Sequence, residues 1–259
     1  MGVGLDGRVA LVTGAGRGIG AEIAVGLGSL GVRVAMLART ASQLDAVAAT
    51  VTDAGGTALA LIADVADEAQ IDAALRRARS ELGEIGLLIN NAAMVGPLAP
   101  TSELTWQAIA DGLALNVVAP VYLSSQVLPA MLAETWGRIV NVSSGVVSRP
   151  EMMVRGTVYA ASKAALEAHT LNLSAELAGS GVTANVYRPG AVDTEMQAWI
   201  RGQDPDRIGP ELHRRFVQSH AAGTLLTPRQ SAAALLARLD SDETGQIWDA
   251  GDAATAPPA

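Results

Sequence analysis

The sequence predicts an α/β fold in which a doubly wound, mainly parallel sheet of seven strands carries helices on both faces. Short apolar runs alternate with longer helical patterns along the chain, which is typical of consecutive β–α–β units with right-handed crossovers. The runs are almost continuously apolar, as strands are when both faces of a parallel sheet are covered. The order and the composition of the runs together predict this class.

Seven strands and five helices are expected from this pattern. The strands are placed at residues 9–12, 33–37, 58–62, 87–89, 138–142, 183–186 and 246–248. The helices are placed at residues 18–30, 41–54, 68–82, 103–134 and 157–178. Glycines near several of the helix ends, such as Gly31 and Gly83, suit C-caps.

Two segments interrupt the alternation. Residues 148–156 form a loop, and residues 193–227 form a long mixed segment that contains Pro205 and Pro210. Long connections are often binding loops, so residues 193–227 are predicted to be a substrate lid. No repeat or low-complexity linker divides the sequence, so we expect a single domain over residues 1–259 with a frayed tail at residues 252–259.

The composition argues against several classes of partner and site. A net charge of −8 argues against nucleic acid or an anionic membrane as the main partner. The chain has no cysteine, which excludes disulfides and thiol chemistry. His169, His213 and His220 do not form a metal-ligand cluster, so no metal is expected. We also expect no signal peptide and no apolar run long enough to span a bilayer, and hence a cytoplasmic protein.

The first predicted strand runs into a glycine-rich turn, Thr13-Gly14-Ala15-Gly16-Arg17-Gly18-Ile19-Gly20, and then into a helix. Such a turn lets the backbone approach a pyrophosphate and directs helix N–H groups toward it. The spacing is T-G-x-x-x-G-x-G rather than the G-x-G-x-x-G dinucleotide fingerprint. The turn indicates a dinucleotide site on a Rossmann-type fold, and the plain alternative is a tight turn that only packs.

Lys163 is the only lysine among the 18 basic residues. It lies four residues after Tyr159, so the two side chains share one face of a helix. An ammonium is compact and its pKa can be shifted, whereas a guanidinium is broad and always charged. We interpret the position as one that needs an ammonium beside a phenol, although a surface lysine near a packed tyrosine would give the same pattern.

The glycine-rich turn and Tyr159-x-x-x-Lys163 together resemble the short-chain dehydrogenase/reductase family, in its single-domain form. Further motifs of that family follow in order over roughly residues 5–251. Ala93 replaces a glycine that the family usually has, and Gly251-Asp252 stands where a glycine pair is common. The further motifs are Asp64-Val65, Asn90-Asn91-Ala92-Ala93, Asn116, Ser143-Ser144, Pro189-Gly190 with Val192 and Thr194, and Thr244-Gly245-Gln246.

The resemblance implies roles for four catalytic residues. Tyr159 would be the general acid/base, and Lys163 would hold the nicotinamide ribose and lower the pKa of the phenol. Ser144 would hydrogen-bond the substrate oxygen; it is preferred to Ser143 because it lies closer to Tyr159 and further past the strand end. Asn116 would hold a water that connects the lysine to solvent, and its alternative is an asparagine that kinks the helix or satisfies the core.

The resemblance also implies a set of cofactor contacts, and two arginines bear on the choice of cofactor. An NAD site would have an acidic residue at the end of the second strand, but Ala38 and Arg39 stand there. Arg17 and Arg39 suit a 2′-phosphate, so NADP(H) is favoured and NAD(H) is left open. The cofactor-binding residues are expected to be Gly14, Gly16, Arg17, Gly18, Ile19, Gly20, Arg39, Asp64, Val65, Asn91, Ala92, Tyr159, Lys163, Pro189, Gly190, Val192 and Thr194.

The sequence indicates less about the substrate than about the cofactor. Gly145, Met152, Met153 and Trp199 are predicted to line an apolar, adaptable pocket, although ordinary packing under a lid would use the same residues. We expect an oxidoreductase for a small carbonyl or secondary-alcohol substrate, with a 3-oxoacyl thioester as the first specific candidate. The alternatives are a broad ketone reductase or alcohol dehydrogenase using NAD(H) and, more remotely, a non-catalytic dinucleotide sensor. The resemblance further implies a homotetramer or a homodimer.

Overall fold

A computed structural model describes residues 4–253, and seven parallel strands form one sheet in the order β3-β2-β1-β4-β5-β6-β7. The fold class predicted from the sequence is confirmed, and each strand lies within two residues of its expected bounds. Each connection is long enough for a crossover, as parallel pairing requires. The strands are β1 (Val9–Thr13), β2 (Arg33–Ala38), β3 (Thr57–Ile62), β4 (Leu87–Asn90), β5 (Gly137–Val142), β6 (Val182–Arg188) and β7 (Ile247–Asp249).

Helices cover both faces of the sheet because alternate strand residues point to opposite sides. On β1, Val9 and Leu11 pack into one apolar cluster, and Ala10 and Val12 pack into the other. The first cluster is covered by α3 (Glu68–Leu82), α5 (Ala119–Ala133) and α6 (Thr157–Glu176). The second is covered by α1 (Gly18–Ser29), α2 (Ala41–Asp53) and α10 (Pro228–Leu236).

The helix expected at residues 103–134 begins later and is not uniform. A short 3₁₀ turn at Thr101–Glu103 precedes it, and the helix starts at Trp106, where the Thr105 side chain accepts a hydrogen bond from the amide of Ala108. Helix α4 (Trp106–Leu113) then passes through a π turn (Ala114–Val118) into α5. Single π turns inside helices are frequent at functional sites, and this one contains Asn116.

The continuous helical stretch Trp106–Ala133 has 28 residues and a mean hydropathy of 1.4 in its most apolar window. It is therefore long and apolar enough to cross a membrane by length and composition, and the expectation that no apolar run has this length is wrong. The core helix of a globular protein meets the same criterion. Here the stretch packs against β4, β5 and α6.

The predicted lid at residues 193–227 contains three helices, α7 (Glu195–Arg201), α8 (Pro205–Ile208) and α9 (Pro210–Ala221). Ile200, Ile208 and Leu212 from these helices join a third apolar cluster that also contains Met153 and Tyr159. The segment therefore packs against Met153 and Tyr159 through this cluster. Most of the tail expected at residues 252–259 lies outside the described residues; α11 (Ala250–Ala253) is the last element.

Candidate active site

A cleft of about 1000 Å³ opens at the carboxyl ends of the strands, beside β1 and β4. Between these two neighbouring strands the strand order in the sheet reverses. Ligands of open α/β sheets bind at this switch point because the loops on its two sides run in opposite directions. Of the residues predicted to contact the cofactor, most line this cleft. They are Gly14, Gly16, Arg17, Gly18, Ile19, Arg39, Asp64, Val65, Asn91, Ala92, Tyr159, Lys163, Pro189 and Thr194.

The glycine-rich turn is fixed to the end of β4 by hydrogen bonds. Thr13 Oγ1 accepts from the amides of Asn91 and Ala92, and Asn91 Nδ2 donates to the carbonyl of Thr13. A Cβ on Gly14 would lie 2.9 Å from Asn91 Nδ2, and one on Gly20 would lie 2.3 Å from the Gly14 carbonyl oxygen. The turn and the start of α1 therefore form a bare backbone cradle that fits a dinucleotide pyrophosphate.

Two arginines and two carboxylates surround the adenosine end of the cleft. Arg39 Nη1 lies 3.8 Å from Asp64 Oδ2, and the Arg39 side chain is largely exposed. Arg17 pairs with Glu195 at the start of α7, across the cleft. Strand β2 ends at Ala38, which lines the cleft together with Arg17 and Arg39.

Tyr159 and Lys163 are buried together on α6. Tyr159 is 9% exposed and Lys163 only 2% exposed, with the ammonium 5.9 Å from the centre of the phenol ring. Burial raises the pKa of Tyr159, while a hydrogen bond with Ser144 lowers it. Burial lowers the pKa of Lys163 to about 8, and the charge of Glu167 opposes that change. Lys163 Nζ donates to the Val142 carbonyl at 2.7 Å.

The two serines after β5 differ in their hydrogen-bond partners. Ser143 is buried, and its Oγ donates to Glu167 Oε1 at 2.7 Å. Ser144 is partly exposed, its Oγ accepts from the amide of Val146, and its hydroxyl lowers the pKa of Tyr159. Ser143 lines the cleft and Ser144 does not, so the choice of Ser144 stays a prediction.

Asn116 is 1% exposed and fixes the π turn to the loop after β4. Its Oδ1 accepts from the amide of Met94, and its Nδ2 donates to the Met94 carbonyl and to Ser162 Oγ. The side chain therefore holds this loop beside the cleft, and the catalytic role of Asn116 stays a prediction.

The residues predicted for the substrate end are not all brought together. Trp199 lines the cleft, and its ring lies beside Gly96, where an added Cβ would be 3.4 Å from Cη2. Met153 is buried next to Tyr159, whereas Met152 and Gly145 are exposed and do not line the cleft. Three residues predicted to contact the cofactor do not line the cleft: Gly20, Gly190 and Val192. Val192 instead forms an isolated β-bridge with Leu226.

The sequence did not predict several residues that line the cleft. Three of them are Met94, Val95 and Gly96. Their position directly after the asparagine motif could have identified them as cleft residues. Met196 lies one turn before Trp199 on α7, so a helical interpretation of residues 195–201 would have placed it on the same face. Gln43 and Leu115 carried no such signal.

Comparisons with known proteins agree with this geometry. The family model described as short chain dehydrogenase matches residues 8–205. The 3-oxoacyl-[acyl-carrier-protein] reductase FabG of Pseudomonas aeruginosa is 36% identical over 194 residues, covering 74% of this chain and 76% of the relative. Galactitol 2-dehydrogenase of Agrobacterium fabrum is 35% identical over 247 residues, covering 92% and 93%.

A solved structure resembles the whole fold. A single-substitution variant of actinorhodin polyketide ketoreductase, solved with NADPH, superposes with a TM-score of 0.83 at 32% identity, covering 93% of this chain and 95% of that one. The chain therefore belongs to the short-chain dehydrogenase family, as an oxidoreductase of CH–OH and C=O groups that depends on a nicotinamide cofactor.

Proposed function

We propose that the protein transfers a hydride between NADP(H) and an apolar carbonyl or secondary-alcohol substrate, with Tyr159 as the general acid/base. The observation that carries this proposal is the buried pair of Tyr159 and Lys163 in the cleft, with the Ser144 hydroxyl interacting with the phenol. A carbonyl oxygen that meets both Ser144 and Tyr159 lies where it is polarised and protonated in one step.

Tyr159, Ser144 and Lys163 each have a separate role in the proposed reaction. When bound, the reduced nicotinamide supplies the hydride to the carbonyl carbon. Tyr159 gives its phenolic proton to the oxygen, and Ser144 holds that oxygen by a hydrogen bond. The Lys163 ammonium stabilises the phenolate left behind, which offsets the burial that raises the pKa of Tyr159.

The preference for NADP(H) is supported by Arg17 and Arg39, with NAD(H) as the alternative. Arg39 is the sharper probe because its guanidinium is exposed and only loosely paired, with 3.8 Å to Asp64. We expect Arg39→Gln to weaken NADPH binding about 10- to 100-fold, since a charged hydrogen bond contributes roughly 1.5–3 kcal/mol, and to leave NADH binding unchanged. Titration of both cofactors by fluorescence measures this. A parent protein that binds NADH more tightly would contradict the preference.

An apolar substrate is supported by the residues around Tyr159. Val95, Met94, Met196 and Trp199 line that end of the cleft, and Val95 is buried. A polyol would lose its water there and find few hydrogen-bond partners, which costs free energy. Because galactitol 2-dehydrogenase is a relative, the experiment below also includes a sugar substrate. A 3-oxoacyl thioester is the first candidate because its acyl chain is apolar, like the residues at this end of the cleft. The similarity of FabG to this protein also supports it.

The deciding experiment is NADPH oxidation with three substrates: a 3-oxoacyl thioester, a cyclic apolar ketone and a ketohexose. We expect kcat/KM to be highest for one of the first two. Tyr159→Phe is the control and should remove turnover while keeping cofactor binding. Binding of NADPH without turnover on the whole panel would favour the dinucleotide sensor instead.

We also propose that the protein is a single-domain, cytoplasmic homotetramer, or a homodimer. The support is apolar surface on helices that family members use for assembly: Val118 on the π turn is 61% exposed, Leu132 on α5 43% and Leu171 on α6 39%. Light scattering after size exclusion measures the mass directly. A monomer at micromolar concentration would contradict this proposal.

A further inference from the structure

A buried ion pair joins three elements behind the catalytic residues. Glu167 lies one helical turn after Lys163 on α6, and Arg188 is the last residue of β6. Arg188 Nε donates to Glu167 Oε1 at 2.8 Å, and Nη2 donates to Oε2 at 2.7 Å. The side chains are 15% and 7% exposed for Arg188 and Glu167. This bidentate geometry is the strong form of an arginine–carboxylate pair.

The same pair holds both ends of the segment that carries Ser144. Ser143 Oγ donates to Glu167 Oε1 at 2.7 Å, just before Ser144. Arg188 Nη1 donates to Ser148 Oγ at 2.6 Å, just after the 3₁₀ turn Gly145–Val147. The carboxylate therefore fixes one end of residues 143–148 and the guanidinium fixes the other.

We propose that Glu167 and Arg188 are positioning residues for the reaction, which fix Ser144 against Tyr159 and set the charge balance around Lys163. This inference rests on the proposed function, because it assigns the pair a purpose in the same reaction. A carboxylate buried without a partner would be costly, so the pair is a unit rather than two independent contacts.

The surroundings of Lys163 make the electrostatic part testable. The titratable groups placed around the ammonium are Tyr159 and Glu167 on α6 and, through Glu167, Arg188 from β6. Strand β5 contributes the Val142 carbonyl, which is not titratable. Removing a nearby negative charge lowers the pKa of every neighbouring group, and removing a positive charge raises it.

Glu167→Gln and Arg188→Gln therefore separate positioning from simple destabilisation. Both variants weaken the hold on Ser144, so kcat should fall about tenfold in each, while the Kd for NADPH changes little. The pKa of Lys163 should move down in Glu167→Gln and up in Arg188→Gln, each on the order of one unit. The opposite pKa shifts test the charge balance around Lys163, and the fall in kcat at an unchanged Kd tests the positioning of Ser144.

The single lysine makes the measurement direct. Isotope-labelled lysine gives one side-chain NMR signal, that of Lys163, and its titration reports the pKa in the cofactor-free protein. The pH profile of kcat/KM should shift in the same direction as this signal in each variant. The double variant Glu167→Gln with Arg188→Gln leaves no unpaired charge, and its Lys163 pKa should return close to that of the parent.

Arg138→Gln is the matched control, because Arg138 is also buried and paired, with Asp242, at the opposite end of β5. We expect this variant to keep the parent kcat and Lys163 titration. If a single variant does not fold, the double variant still tests positioning, since its kcat should fall with an unmoved titration. Unchanged kcat in the Glu167 and Arg188 variants, or pKa shifts of the same sign, would overturn the inference. A parent without carbonyl reductase activity would instead refute the proposed function.

Discussion

Replacing Lys163 by methionine should make the protein more stable and inactive. Lys163 is 2% exposed, and burial lowers its pKa from 10.5 to about 8. Each pKa unit is about 1.4 kcal/mol, so the ammonium costs about 3 kcal/mol of folding free energy at neutral pH. Methionine has a similar length and no charge, but it gives up the hydrogen bond to the Val142 carbonyl, worth about 1 kcal/mol. The net expected gain is about 2 kcal/mol.

The sign of the pH dependence follows from the depressed pKa of Lys163. Below about pH 8 both folded and unfolded chains carry the proton, and the cost of burying the charge is fully present. Between about 8 and 10.5 the unfolded chain binds a proton that the folded chain does not, so the parent gains stability as pH rises. The advantage of Lys163→Met should therefore shrink over that range.

Urea unfolding of parent and variant at about pH 7 and about pH 10 measures this difference. Arg77→Met is a control, because Arg77 is an exposed cation on α3 and its loss should change stability by less than about 0.5 kcal/mol. The reasoning fails if Lys163→Met is less stable than the parent at neutral pH, or if its advantage does not depend on pH.

Three further substitutions test the site through steady-state kinetics. Lys163→Arg keeps the charge but cannot fit a compact buried position, so kcat should fall at least about 100-fold with circular dichroism unchanged; near-normal turnover would contradict the proposed role of the ammonium. Ser144→Ala should lower kcat about 100-fold because a transition-state hydrogen bond is lost, whereas Ser143→Ala should cost less than about tenfold, and the reverse order would exchange their roles. Trp199→Ala opens the apolar wall beside Gly96, so KM for an apolar ketone should rise about tenfold with kcat changed little, and an unchanged KM would remove Trp199 from the pocket.

The sheet and its main helices could be predicted because local pattern and tertiary burial agree there. The run at β1 is apolar on both faces, and the structure covers both. The sequence predicts residues 193–227 only as a long mixed segment, which contains Pro205 and Pro210. In the structure each proline is the first residue of a helix, where its fixed φ is favourable and no amide is needed.

The candidate site was predictable where contiguous residues form a motif, as in the glycine-rich turn and Tyr159-x-x-x-Lys163. It was not predictable where distant residues meet only after folding. Glu167 and Arg188 are 21 residues apart and belong to a helix and a strand, and no periodicity relates them. Met152 was expected in the pocket and is exposed, because the 3₁₀ turn Pro150–Met153 directs only Met153 inward.

The π turn at Ala114–Val118 constrains the number of residues in the helical stretch Trp106–Ala133. It is one residue wider than an ordinary turn, and Asn116 within it meets both backbone groups of Met94. Deleting one residue from the turn would restore regular helical hydrogen bonds but displace Asn116 from the two backbone groups of Met94. Natural and designed variants should therefore tolerate substitutions on the exposed side of this helix far better than a change of one residue in its length.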